Sequence, residues 1–182
     1  MYETIGFLEL NSIAKGVEAA DAILKAAETE LLFARAGCPG KYYILFTGEV
    51  AAVTASIEAG ALIGGANVVD RCVIPRVHPQ VIKAINMTAV PDSYQAIGVM
   101  EFYSVTASVY AADAAVKAAD VDLIDVRLGT GIGGKSFVIL TGEVAAVAES
   151  VKCGINTPNA EGMVISHVVI PSPHPELLQN LI

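Results

Sequence analysis

Thr47-Gly48-Glu49-Val50-Ala51-Ala52-Val53 occurs twice in this chain, returning unchanged as residues 141–147. A long identical string is the mark of an internal repeat, and self-similarity at a fixed spacing decides an architecture before any local pattern does. Working outward, Ile5-Gly6-Phe7-Leu8-Glu9 returns as Ile97-Gly98-Val99-Met100-Glu101, 92 residues on. Ala20-Asp21-Ala22 and Lys25-Ala26-Ala27 return as Ala112-Asp113-Ala114 and Lys117-Ala118-Ala119 at the same spacing. The central string repeats at 94, and Val73-Ile74-Pro75 and His78-Pro79 return at 96 as Val169-Ile170-Pro171 and His174-Pro175. Two residues therefore enter within Gly129-Thr130-Gly131-Ile132-Gly133-Gly134, and two more near Thr157-Pro158-Asn159-Ala160-Glu161-Gly162. Both stretches have turn composition. Matched segments with insertions confined to turns imply one fold used twice, over residues 1–90 and 91–182, with Pro91-Asp92-Ser93 as the short linker.

Each repeat mixes two periods. Residues 4–10 are apolar and β-rich, which predicts a strand, whereas Val17, Ala20, Ile23, Leu24 and Ala27 share one face of a helix over 14–27. Residues 30–36 and 41–47 read as two strands around the turn Gly37-Cys38-Pro39-Gly40. A second helix is expected over 48–60, with Thr47 as N-cap and Glu49 at the positive end of its dipole. A fourth strand over 67–75 and a short helix from Pro79 to Ile85 complete the order βαββαβα. The expected class is α+β: two tandem ferredoxin-like domains, each an antiparallel sheet with helices packed on it.

Composition limits function. Charged residues make up 16% of the 182 residues and the hydrophobic class 54%, with a mean hydropathy of +0.57. Soluble domains carry about 25% charged residues. The deficit leaves apolar surface that two small domains cannot bury alone, which favours assembly with further copies. A membrane is not expected as partner, because Ala51 to Val69 is interrupted by Glu58, glycines and Asn67. The opening Met1-Tyr2-Glu3-Thr4 has neither the basic residues nor the apolar core of a secretory leader. A net charge of −8 without any Lys/Arg cluster argues against nucleic acid. Three scattered cysteines form no disulfide framework and fit a reducing cytoplasm.

Ala20-Asp21-Ala22-Ile23-Leu24-Lys25, the Thr-Gly-Glu-Val helix opening and Val73-Ile74-Pro75-Arg76-Val77-His78-Pro79, in this order and twice over, resemble the domain of bacterial microcompartment shell proteins. The resemblance covers essentially the whole chain. The unpermuted pair of domains resembles tandem shell proteins, which implies a homotrimer that acts as a pseudohexameric tile beside other shell proteins, without enzymatic activity of its own. Gly37-Cys38-Pro39-Gly40-Lys41 narrows it to the propanediol-utilisation type. That likeness implies a [4Fe–4S] cluster, one per trimer, bound at a central pore by Cys38 of each chain. It also implies a role in passing electrons across the shell, with enclosed redox enzymes as possible partners. The pore-loop residues it implies are Gly37, Cys38, Pro39 and Gly40, and from the second repeat Gly131, Ile132, Gly133 and Gly134. Tile-edge residues carried over are Lys25, Lys117 and Arg76; the second repeat departs from the pattern with Ser172 in place of the arginine.

A [4Fe–4S] cube ordinarily takes four thiolates, and this chain has no Cys-x-x-Cys run. A cube has a three-fold axis through one corner, so three copies of Cys38 could hold three irons and leave the fourth to water. The alternative is an open pore that conducts small metabolites, with Cys38 as a free lining thiol. Cys72 and Cys153 are expected as buried packing residues. His78 and His174 suit the start of the last helix of each repeat, Glu9 and Glu101 end the first strands and could meet a neighbour's cation, and Lys41 and Lys135 flank the loops. The glycine-rich 129–135 stretch lacks the spacing of a phosphate loop, and a strand follows it. A small enzyme or sensor with a site between the domains would need a convergent polar pocket, and no residues assemble one in the sequence.

Overall fold

The computed structural model describes residues 4–91 and 93–181; Asp92 of the expected linker, the first three residues and Ile182 lie outside the described residues. The chain divides into two compact units. The first holds the described residues up to Val77 together with Gly129–Gly134, and the second holds His78–Leu128 and the described residues from Lys135 onward.

In the first unit, strands β1 (Thr4–Leu10), β2 (Thr29–Gly37), β3 (Lys41–Gly48) and β4 (Val68–Pro75) form one antiparallel sheet in the order β2-β3-β1-β4. Helices α1 (Ile13–Ala26) and α2 (Val50–Gly64) pack on one face. Side chains alternate across a strand, so Leu8, Leu10, Ile44 and Phe46 point at the helices and meet Ile23, Val53 and Ile57 in the core. The odd-numbered Ile5, Phe7, Tyr43 and Leu45, on the opposite face, are fully buried too. α1 begins at Ser12, whose Oγ accepts from the Lys15 N–H.

Two boundaries differ from the sequence reading. Thr47 does not cap α2. It is still within β3, opposite Ile5, and its hydroxyl donates across the sheet to the Thr4 carbonyl at 2.8 Å. The cap position falls to Glu49, and the helix runs on to Gly64, ending at Gly65 with φ +52. With the 3-10 turn that follows, Val50–Asn67 is long and apolar enough by composition to cross a membrane. One side of it is docked, however: Val53, Ser56, Ile57, Gly60 and Gly64 are buried, and Ser56 Oγ donates to the Ile23 carbonyl.

The second unit repeats the plan with β5 (Ala96–Phe102), α4 (Val105–Ala118), β6 (Val121–Leu128), β7 (Ser136–Gly142), α5 (Val144–Ile155), β8 (Val164–Ile170) and α6 (Pro175–Leu181), the sheet running β6-β7-β5-β8. It also contains α3 (Pro79–Ile85). By chain order α3 closes the first repeat; by contact it belongs here. His78 caps it, Nδ1 accepting from the Gln80 N–H, while the His78 N–H donates to Asp113 Oδ1 at 2.8 Å. Gln80 clasps the start of β6, its Nε2 donating to Asp122 Oδ1 and its Oε1 accepting from the Leu123 N–H. Glu143 caps α5 through its own carboxylate, which its counterpart Glu49 does not do for α2.

Gly16 marks how closely α1 approaches β3. A Cβ there would fall on Cβ and Cγ of Tyr42, atoms near the root of the side chain that cannot swing aside. Gly-to-Ala inside a helix ordinarily gains about 1 kcal/mol; here overpacking, at about 1–3 kcal/mol, opposes that gain. Gly16→Ala is expected to lower the thermal unfolding midpoint, measured by circular dichroism.

Candidate functional site

The β2–β3 connection is a three-residue turn, Cys38-Pro39-Gly40, on a paired stem in which Gly37 faces Lys41. The Gly40 N–H donates to the Gly37 carbonyl at 3.0 Å, and Gly40 has φ +82, a conformation that favours glycine. The Cys38–Pro39 peptide is cis. Cys38 is a half-buried free thiol.

Tyr43 anchors the turn from below. Its ring stacks on Phe7 at 6.0 Å, and its hydroxyl donates to the Cys38 carbonyl at 3.2 Å. Burial pushes the Tyr43 hydroxyl far above its ordinary value, with the Glu9 and Cys38 charges adding to the shift, so it stays a neutral donor. Gly37 lies over the same ring with no room for a Cβ. The glycine-rich segment of the second repeat belongs to this unit and closes on the turn. A Cβ on Gly129 would strike the Tyr43 hydroxyl, and one on Gly134 would meet Pro39 Cδ at 2.8 Å and the Cys38 carbonyl oxygen at 3.1 Å. Gly129, Gly131, Gly133 and Gly134 all have positive φ. The structure therefore brings the expected loop residues Gly37, Cys38, Pro39, Gly40 and Gly134 together, with Gly131, Ile132 and Gly133 in the same short segment.

The charges flanking the loops in sequence have partners within their own units. Glu9 and Glu101 each have a cation within the chain: Lys41 Nζ donates to Glu9 Oε1, and Lys135 Nζ donates to Glu101 Oε1 at 3.1 Å. The first pair is the buried one, with the Glu9 side chain 1% exposed. Arg127 makes two hydrogen bonds to Asp125 Oδ2, and Arg35 lies over the Phe33 ring at 4.3 Å. Neither Tyr43 nor the Glu9–Lys41 pair stood out in the sequence, although Glu9/Glu101 and Lys41/Lys135 recur in both repeats and so carried a signal.

The other residues lie on separate elements. Lys25, in the last turn of α1, pairs with Asp21 at 2.6 Å, and Lys117 pairs with Asp113 in the same way on α4. Arg76 is exposed just after β4, in the left-handed region at φ 50. Cys72 is buried as expected, but Cys153 is only half-buried, because it lies off the face of α5 that buries Val147, Ser150, Val151 and Gly154, and its thiol donates to Glu149 Oε1 across one turn. Among the described residues no three His, Cys, Asp or Glu side chains cluster in one chain as a metal site. Cys38 therefore has no such set beside it within one chain among the described residues.

The BMC domain profile matches residues 4–77 and again 96–173. The chain belongs to the BMC-domain family. The bacterial microcompartment shell protein PduT of Citrobacter freundii is 40% identical over 182 residues, 100% of this chain and 99% of that protein. The carboxysome shell protein CcmK2 of Synechococcus elongatus is 40% identical over 85 residues, 45% of this chain and 80% of that protein, as befits a relative of one repeat. A crystal structure of a microcompartments protein from Desulfitobacterium hafniense superposes with a TM-score of 0.90 at 48% identity, covering 98% of this chain and 99% of that one. The two BMC domains of this chain are the two antiparallel four-stranded sheets with their helices.

The Glu9 carboxyl, beneath the turn, titrates against its surroundings. Burial raises its pKa above the ordinary 4.5, Lys41 pulls it down through a hydrogen bond and its charge, and Asp70 adds upward. A raised folded value means that Glu9 favours folding most below the ordinary carboxylate range, and less as pH climbs through its folded value. Thermal melts from about pH 4 to about pH 8 should show the unmodified chain losing stability relative to Glu9→Gln over that window. Parallel curves would show that Lys41 cancels the burial.

Proposed function

We propose that this BMC-domain chain is a structural shell subunit, not an enzyme, that forms a pseudohexameric homotrimer and tiles with other shell proteins around a bacterial microcompartment in the cytoplasm. End-to-end similarity to a two-domain shell protein supports this reading: both chains are covered almost completely, so the paired architecture is shared and not just one module. Lys25, Lys117 and Arg76 are exposed and serve as tile-edge residues in this reading. A propanediol-utilisation compartment is the setting that the PduT likeness favours.

Within the trimer, Cys38 from each of three chains would hold one [4Fe–4S] cluster at a central pore. The observation behind this is the turn itself: a single half-buried thiol at the tip of a stem, with the adjoining Gly129–Gly134 segment supplying backbone and no thiol. A cluster held this way would supply one-electron chemistry, with enclosed redox enzymes as partners. The chain's own residues do the positioning. Tyr43 fixes the Cys38 carbonyl, and Pro39 and Gly134 set the spacing of the two loops.

Anaerobic purification should yield about four irons per three chains. Cys38→Ser should remove iron and the reduced-state EPR signal while the oligomer mass is kept. Iron-free protein with unchanged assembly would support instead an open pore for small metabolites, with Cys38 as a lining thiol. Iron retained by Cys38→Ser would refute the ligand assignment.

A further inference from the structure

Helix α6 follows the second sheet as α3 follows the first, so the two are repeat counterparts. α3 is seated: Val81, Ile82, Ala84 and Ile85 are all buried. The face that receives it, α4 and the β6 edge, is closed, with Val105, Val109 and Leu123 buried. α6 has no fully buried residue: Leu178 and Leu181 rest on Ile97, Ile124 and Ile139 of its own unit, while Leu177, the counterpart of Val81, is 40% exposed. The receiving face has an open counterpart too. Ile13 and Val17 on α1, which match Val105 and Val109, are 47% and 55% exposed. Leu31 on β2 is half-buried where Leu123 on β6 is closed. The registers agree as well, Glu30 opposing Thr47 as Asp122 opposes Thr141. Each chain therefore carries one filled seat, one helix open on its Leu177 side and one open receiving face. Open complementary halves on the same chain define a head-to-tail contact between copies.

We propose that α6 of one copy seats on the β2–α1 face of a second copy, and that the Glu176–Glu30 carboxyl pair formed there makes this junction weaken as pH rises. The inference rests on the reading of the chain as a self-assembling shell subunit, and adds to it which elements meet and what tunes them.

The α3 seat serves as template. Two of its contacts carry over unchanged. The His78 N–H donates to Asp113, and the His174 N–H would reach Asp21, whose other oxygen holds Lys25 as Asp113 holds Lys117. Gln80 Oε1 accepts from the Leu123 N–H, and a Glu176 oxygen would accept from the Leu31 N–H. The third contact changes sign. Gln80 Nε2 donates to Asp122 Oδ1, but Glu176 has no N–H to give, and the matching residue is Glu30, another carboxylate. Two carboxylates at hydrogen-bonding range cannot both be ionised without cost, so the pair takes up a proton on seating. The surroundings do not cancel this. From the receiving copy come Glu28 ahead of β2, Asp21 and Lys25 on α1, and the uncharged Thr47 on β3. Lys25 is engaged by Asp21, and from α6 His174 has its Nδ1 accepting from the Glu176 N–H.

The test is sedimentation velocity on the full chain at about pH 5.5, 7 and 8, comparing the unmodified protein with Glu176→Gln and Leu177→Asp. The unmodified protein should dissociate more readily at high pH. Glu176→Gln, which restores the α3 pattern, should bind about tenfold tighter at pH 7, the equivalent of one pKa unit of coupling, and lose the pH dependence. Leu177→Asp should stay unassembled throughout, as should Val17→Asp on the exposed receiving face, which covers the case of Leu177→Asp failing to fold. Normal assembly of both aspartate variants would overturn the seat while leaving the shell reading intact. Assembly blocked by them but insensitive to Glu176→Gln would overturn the carboxyl pair. A protein that assembles under no condition would overturn the shell reading itself.

Discussion

An antiparallel sheet of four strands has two edges, and an edge strand left uncovered presents unpaired N–H and C=O groups to whatever approaches. In the second unit one side chain resolves this at β6: Gln80 takes the Leu123 N–H and gives its own to Asp122. Much of what distinguishes the two repeats follows from that clasp. It fixes α3 on β6, and with α3 in place Val105, Val109 and Leu123 are closed from water. The first repeat has the same strand and the same helix, and their outer sides stay open. The low charge content, visible in composition alone, is the same deficit seen from another side: apolar surface made to be covered by protein.

The Cys38 turn is held by a different kind of constraint. Its anchor is an aromatic ring, stacked on Phe7 and hydrogen-bonded at its tip to the Cys38 carbonyl. Because burial, with nearby negative charge added to it, raises the Tyr43 hydroxyl's pKa, the anchor stays a neutral donor in mild alkali. The Lys41–Glu9 pair sits beneath, with a carboxylate almost wholly withdrawn from solvent. Such a pair contributes orientation more surely than stability, since desolvation offsets much of the attraction. The thiol is thus presented on a stem whose floor is a hydrogen-bonded tyrosine, above a carboxylate with one oxygen held by Lys41.

Most of the fold could be read from the repeated strings, because matched segments had to occupy matched elements and insertions had to fall in turns. The chain order of strands and helices followed from periodicity, but the helix faces only in part: Ala20, Ile23, Val53 and Ile57 are buried as expected, whereas Val17, Leu24 and Val50, read onto the same faces, are exposed. What escaped was decided across the sheet and not along the chain. Thr47 looks like a cap, yet its hydroxyl is taken by the Thr4 carbonyl, a residue 43 positions away. Glu9 reads only as the end of a strand, yet Lys41 reaches it from β3, three elements on along the chain and adjacent in the sheet. Cys153 resembles a core residue in a local window and is half-buried because it falls beside the docked face of α5, which carries Val147, Val151 and Gly154. Of the site, the cysteine turn and the glycine segment were legible as counterparts; that Tyr43 joins them was not, since nothing local marks a tyrosine as the floor of a turn.

Four glycines between residues 129 and 134 occupy the left-handed half of backbone space. Gly129 and Gly134 are further confined by Tyr43, Pro39 and Cys38. An alanine at any of the four would meet a strained backbone, a collision, or both. Thr130 and Ile132 are the two positions of that segment whose backbone lies outside the left-handed region. Any diversification of this loop among descendants of the chain, whether toward bulk, polarity or charge, is therefore funnelled through two positions, while the cysteine it borders keeps the same backbone beside it.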